Sequence, residues 1–191
     1  RRLPDLFRSF HERYPAVTFK LYTGIADHVI ERMDHGLVDV GLLMEPINLE
    51  KYEYIRLPDR EQWVVVMHPE SPLARLDRIT PEDLRDQPLI FPYRANIQSE
   101  LANWMDTEIE KLNIRFTANL PSISSIMAHN KLAYGLLIQG SISFWDKDKI
   151  TCRPLWPELT STTVLLWKRK QPFGLAAEKF IEFLKETLPE K

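Results

Sequence analysis

The sequence predicts an α/β protein folded as two lobes, and three features carry that reading. Val17, Phe19 and Leu21 alternate with Thr18, Lys20 and Tyr22, a helix-like run follows, and residues 40–44 are almost continuously apolar, which is a strand, helix, strand order. The same rhythm returns between residues 88 and 139. Proline marks two places, near Gln87-Pro88 and at 154–157, where the chain would pass from one lobe to the other. The predicted division is residues 1–87 with 160–191 in the first lobe and 88–159 in the second.

The chain opens on an amphipathic helix: Leu3, Leu6, Phe7, Phe10 and Tyr14 recur at helical spacing, Pro4 suits a first turn, and Pro15 ends the pattern. Residues 17–22 read as a strand. A helix from Ala26 places Ile25, Val29 and Met33 on one side and stops at Gly36, where a left-handed residue closes it. Residues 40–44 then read as a buried strand parallel to 17–22, joined to it by a right-handed crossover. Residues 48–59 read as a polar connection, 62–67 as a strand, and 68–74 as a turn-rich loop. Thr80-Pro81-Glu82-Asp83 combines a capping hydroxyl, a first-position proline and acids for the positive first turn of a helix.

A brief strand at 89–91 leads to a helix carrying Ile97, Leu101, Trp104 and Leu112, and Ile114, Phe116, Ala118 and Leu120 alternate as the next strand. Pro121-Ser122-Ile123-Ser124-Ser125 starts a helix running to about Lys131, and 134–139 is a leucine-rich strand. Residues 146–149 form a turn, 150–155 and 162–167 are strands, and a last helix from about Leu175 buries Ala176, Phe180, Phe183 and Leu184. Ligands of open parallel sheets bind at the carboxyl ends of the strands, which here points to residues 23–26 and 44–46.

Composition narrows the function. With 191 residues and 44% hydrophobic content the chain can bury a sizeable core. Its net charge of −2 is spread along the sequence, which gives no footprint for nucleic acid or an anionic membrane. Cys152, the single cysteine, cannot form an internal disulfide and reads as a buried thiol in a strand, which fits a reducing compartment. No apolar run approaches the ~18 residues of a membrane span, and no signal-peptide core is found, so a cytoplasmic protein is expected. No Gly-x-Ser-x-Gly elbow, His-Glu-x-x-His pair or phosphate-cradling loop occurs among only six glycines, and the five histidines lack metal spacing. No catalysis, cofactor or metal is expected, and His11, His28, His35, His68 and His129 read as solvated.

Several segments together resemble a known family. They are Gly24 with Gly36-Leu37-Val38-Asp39-Val40-Gly41-Leu42, the run from Trp63 to Ala74, residues 79–84, Pro88-Leu89-Ile90, Arg153-Pro154-Leu155, residues 164–168 and residues 176–184. At matching spacing over nearly the whole chain, they resemble the effector-binding domain of LysR-type transcriptional regulators. The resemblance implies a two-lobed fold like the type 2 periplasmic binding proteins, with a small-molecule effector in the interlobe cleft. It implies a homodimer or homotetramer in which the first helix and residues 17–22 pack head-to-tail on the 122–131 helix of a partner. DNA would be contacted only through an N-terminal winged helix-turn-helix that this chain does not contain, and the family's first strand likewise has no counterpart in it. A solute-binding protein of a transporter is the alternative on the same scaffold.

By position, the resemblance assigns the effector site to Thr23, Gly24 and Ile25, to Met44, to Tyr93, Arg94 and Asn96, to Ser122 and Ser124, and to Gln139. The sequence departs from the family where Ile25 and Ala26 stand at positions often occupied by Ser or Thr, and where Leu132-Ala133-Tyr134-Gly135-Leu136-Leu137-Ile138 replaces the usual G-[LI]-G-[IV]-A-L-L-P. Arg94 has two readings: a partner for an acidic group of the effector, beside a helix start that attracts anions, or an exposed arginine paired with a nearby acid. Ser122, Ser124 and Ser125 read first as helix caps and second as ligand contacts. Tyr93, Tyr134 and Met44 line an apolar pocket or serve the core.

Overall fold

The computed structural model describes residues 2–188. The chain divides into two compact units, Arg1–Asp59 with Thr162–Lys191 and Arg60–Ser161. Residues 60–87, assigned above to the first lobe, thus group with the second. The chain passes between the units inside two strands and not at the proline-marked connections.

In the first unit, α1 (Arg2–Arg13) and α6 (Leu175–Thr187) lie over one face of a sheet ordered β1 (Gly41–Met44), β7 (Thr160–Lys168), β2 (Tyr52–Met67). Their interface is aromatic. The Phe10 ring centroid lies 4.8 Å from that of Tyr14, 5.0 Å from Phe180 and 5.4 Å from Phe183, and Phe19 stands 5.3 Å from Phe180. The tilted and edge-on pairs place positive ring edges on negative faces. On the other face, α2 (Ala26–Asp34) buries Ala26, Val29 and Met33 against Leu43, Tyr52, Val164 and Leu166. Burial and the Asp34 carboxylate, which accepts the Tyr52 hydroxyl proton at 2.9 Å, push the Tyr52 phenol up to about 12. Gly36, at φ +68, closes the helix as the sequence predicts.

Two sequence expectations fail in this unit for one reason. Residues 17–22 form no strand, and β1 runs antiparallel to β7, with Gly41 opposite Leu166 and Met44 opposite Thr163, instead of parallel to a preceding strand. The alternation at 17–22 survives in burial, since Val17 and Phe19 pack into the aromatic cluster while Thr18 and Lys20 face out. A strand also needs a neighbour to bond, and β1 is the end of the sheet, bonded only to β7 among the described residues. The opposite error occurs at residues 52–59. Their polar composition suggests a connection, but Tyr52 and Ile55 are buried and the segment is the first half of β2.

In the second unit the apolar half of β2 is bonded on both sides, antiparallel to β5 (Tyr134–Ile138) and to β6 (Thr151–Pro154). Beyond β5 lie β3 (Leu89–Pro92) and β4 (Ile114–Ala118), both parallel partners of the βα type expected. Three helices serve this sheet: α3 (Pro81–Leu84), α4 (Ala95–Trp104) and α5 (Pro121–His129). The α3 start is a capping box, in which Asp83 accepts the Thr80 backbone N–H at 2.8 Å. Leu112 does not extend α4, which ends at Trp104. Cys152 is half-buried beside Ile150, and burial pushes its thiol up, opposite to what a nucleophile needs.

Candidate functional site

Parallel strands put their carboxyl ends on one edge, and in the second unit this collects most of the predicted residues. Tyr93 follows β3 and donates its backbone N–H to the Ala118 carbonyl at the end of β4, at 3.0 Å. Ser122 and Ser124 lie in the first turns of α5, immediately after β4, and Gln139 follows β5. The β2 residues pair so that Trp63 faces Ile138, which brings the start of the apolar half of β2 to the same edge. There Glu61 lies so close to Gly140 that a Cβ on the glycine would stand 2.9 Å from a carboxylate oxygen. Glu61 is a residue that sequence reasoning missed, because only the β2–β5 register brings it there.

Arg94 is the N-cap residue of α4, in extended backbone and with no side-chain cap bond. Asn96 accepts the Ile97 backbone N–H through its Oδ1 at 2.9 Å, and Gln98 donates through Nε2 to the Pro92 carbonyl at 2.8 Å. Both amides therefore brace the loop, and the Tyr93 ring is largely exposed beside it. The serines of α5 are not caps. The N-cap position is Leu120, Ser122 is exposed, and Ser124 and Ser125 are buried on the side facing the sheet. Ser124 packs over Gly135, where a Cβ would come within 3.3 Å of its own Cβ. Tyr134 is half-buried and bonds Ser71 through its hydroxyl at 2.8 Å, so it braces the turn after β2.

In the first unit Val29 and Met33 stand over Gly41, so α2 runs back along β1 and its start points toward the carboxyl end of the strand. Thr23, Gly24 and Ile25 lead into that start, and Met44 ends the strand. Gly24 has a packing role: a Cβ there would lie 3.1 Å from the Tyr22 ring, which is also covered by the Arg32 guanidinium at 4.4 Å. Beside Met44, Glu45 accepts two hydrogen bonds from Arg56 Nε, at 3.0 and 3.2 Å, and one from Nη2 at 2.9 Å, and it accepts the Thr162 hydroxyl as well. The Arg56 bonds hold the Glu45 carboxyl below the usual carboxylate range, so the network is ionised at neutral pH. It ties the end of β1 to β7 and β2, and three residues so far apart in sequence left no local signal.

Two histidines depart from expectation. His11, His28 and His35 are exposed, but His68 and His129 are partly buried and stack with ring centroids 5.8 Å apart. Among the described residues no helix is long and apolar enough to cross a membrane.

Comparison with known proteins places this arrangement. The LysR substrate binding domain family matches residues 1–189. The chain is 28% identical over 185 residues to the uncharacterized HTH-type transcriptional regulator YvbU of Bacillus subtilis (strain 168), covering 96% of this chain and 62% of that protein. It is 26% identical over 192 residues to the Hca operon transcriptional activator HcaR of Escherichia coli (strain K12), covering 97% and 63%. The chain therefore spans about three-fifths of the length of these relatives. Among solved structures, the effector binding domain of QuiR in complex with shikimate superposes with a TM-score of 0.82 at 17% identity, over 95% of this chain and 87% of that one. The Synechocystis PCC6803 CcmR regulatory domain in complex with 2-PG gives 0.80 at 15% identity, over 97% and 90%. The fold is the two-lobed, periplasmic-binding-protein-like one, and the chain belongs to the LysR substrate binding domain family.

Proposed function

We propose that this chain is the effector-sensing and dimerising part of a cytoplasmic LysR-type transcriptional regulator, which binds a small molecule and does no chemistry on it. The observation that carries the reading is the meeting of Tyr93, Arg94, Asn96, Ser122, Ser124 and Gln139 at one edge of the parallel strands, in a chain of this family. Thr23, Gly24 and Ile25 lead into α2 and Met44 ends β1 within the first unit. The relatives named above are transcriptional regulators, which supports this reading over a transport component. DNA would be engaged by a separate helix-turn-helix part of the whole protein. An effector would act through its difference in affinity between two arrangements of the protein, and about 1–3 kcal/mol of coupling is enough for regulation.

The test is a thermal-shift screen of small hydroxy-acids and phosphorylated acids, starting with shikimate and 2-PG. A ligand at a hundred times its Kd is expected to add about 2.7 kcal/mol of stability. Arg94→Ala and Ser122→Ala are expected to reduce the shift given by any acidic ligand that binds. A ligand whose shift survives both substitutions would remove this edge as the site.

Dimerisation is supported by the apolar surface on α5, where Ile123 and Ile126 are 40% and 49% exposed at i, i+3 spacing. Leu21, at 75% exposure, marks the complementary segment that the family resemblance pairs with this helix. Light scattering is expected to give a dimer for the native chain and a monomer for Ile126→Asp, since an unpaired carboxylate cannot be buried without a partner. A native monomer at high concentration would oppose the idea.

A further inference from the structure

The first unit holds a cavity of about 260 Å³ in which none of the proposed effector residues takes part. It lies at the other end of the sheet from Met44. β1 and β7 are antiparallel, with Met44 opposite Thr163 and Gly41 opposite Leu166, so Trp167 and Arg169 stand beyond the amino end of β1. The Arg169 backbone N–H bonds the Lys51 carbonyl at 3.1 Å, which brings the start of β2 to the same place. Among the lining residues are Glu53 and Ile55 of β2, Trp167 and Arg169, and Lys185 from the last turn of α6.

Most polar groups in these walls are already matched. Glu53 Oε2 accepts Trp167 Nε1–H at 3.3 Å and a Lys185 Nζ proton at 3.0 Å, and the ammonium lies 5.3 Å from the indole ring centroid. The Lys185 hydrogen bond, helped by Trp167 and by the Arg169 charge, holds the Glu53 carboxyl below the usual carboxylate range, so the pair is ionised at neutral pH. Lys185 also answers the negative end of α6. Arg169 is the exception. Its Nε donates to the Tyr52 carbonyl at 3.2 Å, and among the described residues the guanidinium makes no other hydrogen bond. That bond holds the planar group while Nη1 and Nη2 remain for an acceptor, and a carboxylate meets such a pair end-on. The formal charges agree. Lys185 and Glu53 cancel, no other carboxylate among the described residues lines the cavity, and the charge of Arg169 is left over.

We propose that this cavity is a second ligand site, for a small flat monocarboxylic acid whose carboxylate takes Nη1 and Nη2 of Arg169 and whose apolar body lies on Ile55, Trp167 and the Lys185 stem. Size and charge set the class. The volume is just below the range of about 300–1,000 Å³ that holds drug-sized ligands, so one ring with a short acid arm fills it. A second acid arm would face Glu53 with no unpaired cation to receive it, which disfavours dicarboxylates and phosphate esters. The effector edge plays no part in the site, so the two readings hold or fail separately.

The experiment follows the indole N–H resonances of the five tryptophans by NMR while phenylacetate is added to the native chain, with Trp167→Phe used to assign the Trp167 signal. The Trp167 resonance is expected to move saturably with a Kd of about 1 mM, the affinity open to a ligand of this size. Acetate has the acid without the ring and 2-phenylethanol the ring without the acid, and each is expected to bind about tenfold more weakly or worse. Arg169→Gln should weaken phenylacetate by about tenfold, and Arg169→Lys, which keeps the charge and loses the fork, by nearly as much. The ligand series on the native chain decides the matter even if a variant does not fold. A Trp167 signal that stays in place, acetate or 2-phenylethanol binding as tightly as phenylacetate, or a folded Arg169→Gln chain of native affinity overturns the inference.

Discussion

Replacing Phe10 by Ala is expected to lower the unfolding free energy of the chain by about 3–5 kcal/mol, the largest effect of any substitution considered. Phe10 is fully buried and meets Tyr14, Phe19, Phe180 and Phe183 within 6 Å between ring centroids. Removing it empties the contact between α1 and α6, and neither helix can close the gap without lifting off the sheet. The measurement is a urea titration followed by far-UV circular dichroism, with Phe7→Ala as comparison. Phe7 is only partly buried at the rim of the same cluster, so its loss should shift the midpoint much less. Equal effects from the two would mean that the aromatic cluster is not the core of the first unit.

Gly135→Ala is expected to cost about 1–3 kcal/mol by overpacking. The added Cβ would stand 2.8 Å from Val66 Cγ2 and 3.3 Å from Ser124 Cβ, and neither can swing away. Val66 is β-branched and is Gly135's own partner across the β2–β5 ladder, while Ser124 is held in α5. Relief needs a shift of β5 against β2, which carries Val66, and of α5, which carries Ser124, so the substitution should also shrink the thermal shift of any ligand found to bind. Gly174→Ala is the control, because a Cβ there meets nothing within 4 Å and the residue sits at φ −70, open to any side chain. Its cost should be well below that of Gly135→Ala, the poorer N-cap of α6 being offset by the lower entropy of the unfolded chain. If Gly135→Ala behaved like Gly174→Ala, the packing of α5 on β5 would be looser than described.

Much of the fold was legible because local chemistry and burial agreed. Thr80-Pro81-Glu82-Asp83 is a capping box, Gly36 takes the left-handed turn, and the apolar runs at 62–67, 89–91 and 134–138 are strands. The strand-end positions at Tyr93, Ser122 and Gln139 were legible for a related reason: once β3, β4 and β5 are parallel, sequence order alone places their exits at one edge. The serines show where that stops. A Ser-rich helix start reads as capping, but the register of α5 over Gly135 turns Ser124 and Ser125 inward.

By itself, then, the sequence determined the order and type of most elements, the apolar set from which each core is drawn, and the family resemblance, since these depend on residues close together in the chain. Only the tertiary structure decided that residues 17–22 stay unpaired, that 52–59 are half of a long strand, and that Glu45 meets Arg56 and Thr162. Only it decided that His68 stacks on His129. Each of these turns on which backbone edge or side chain arrives from far along the chain, and pairing partners, unlike periodicity, leave no mark on the local pattern.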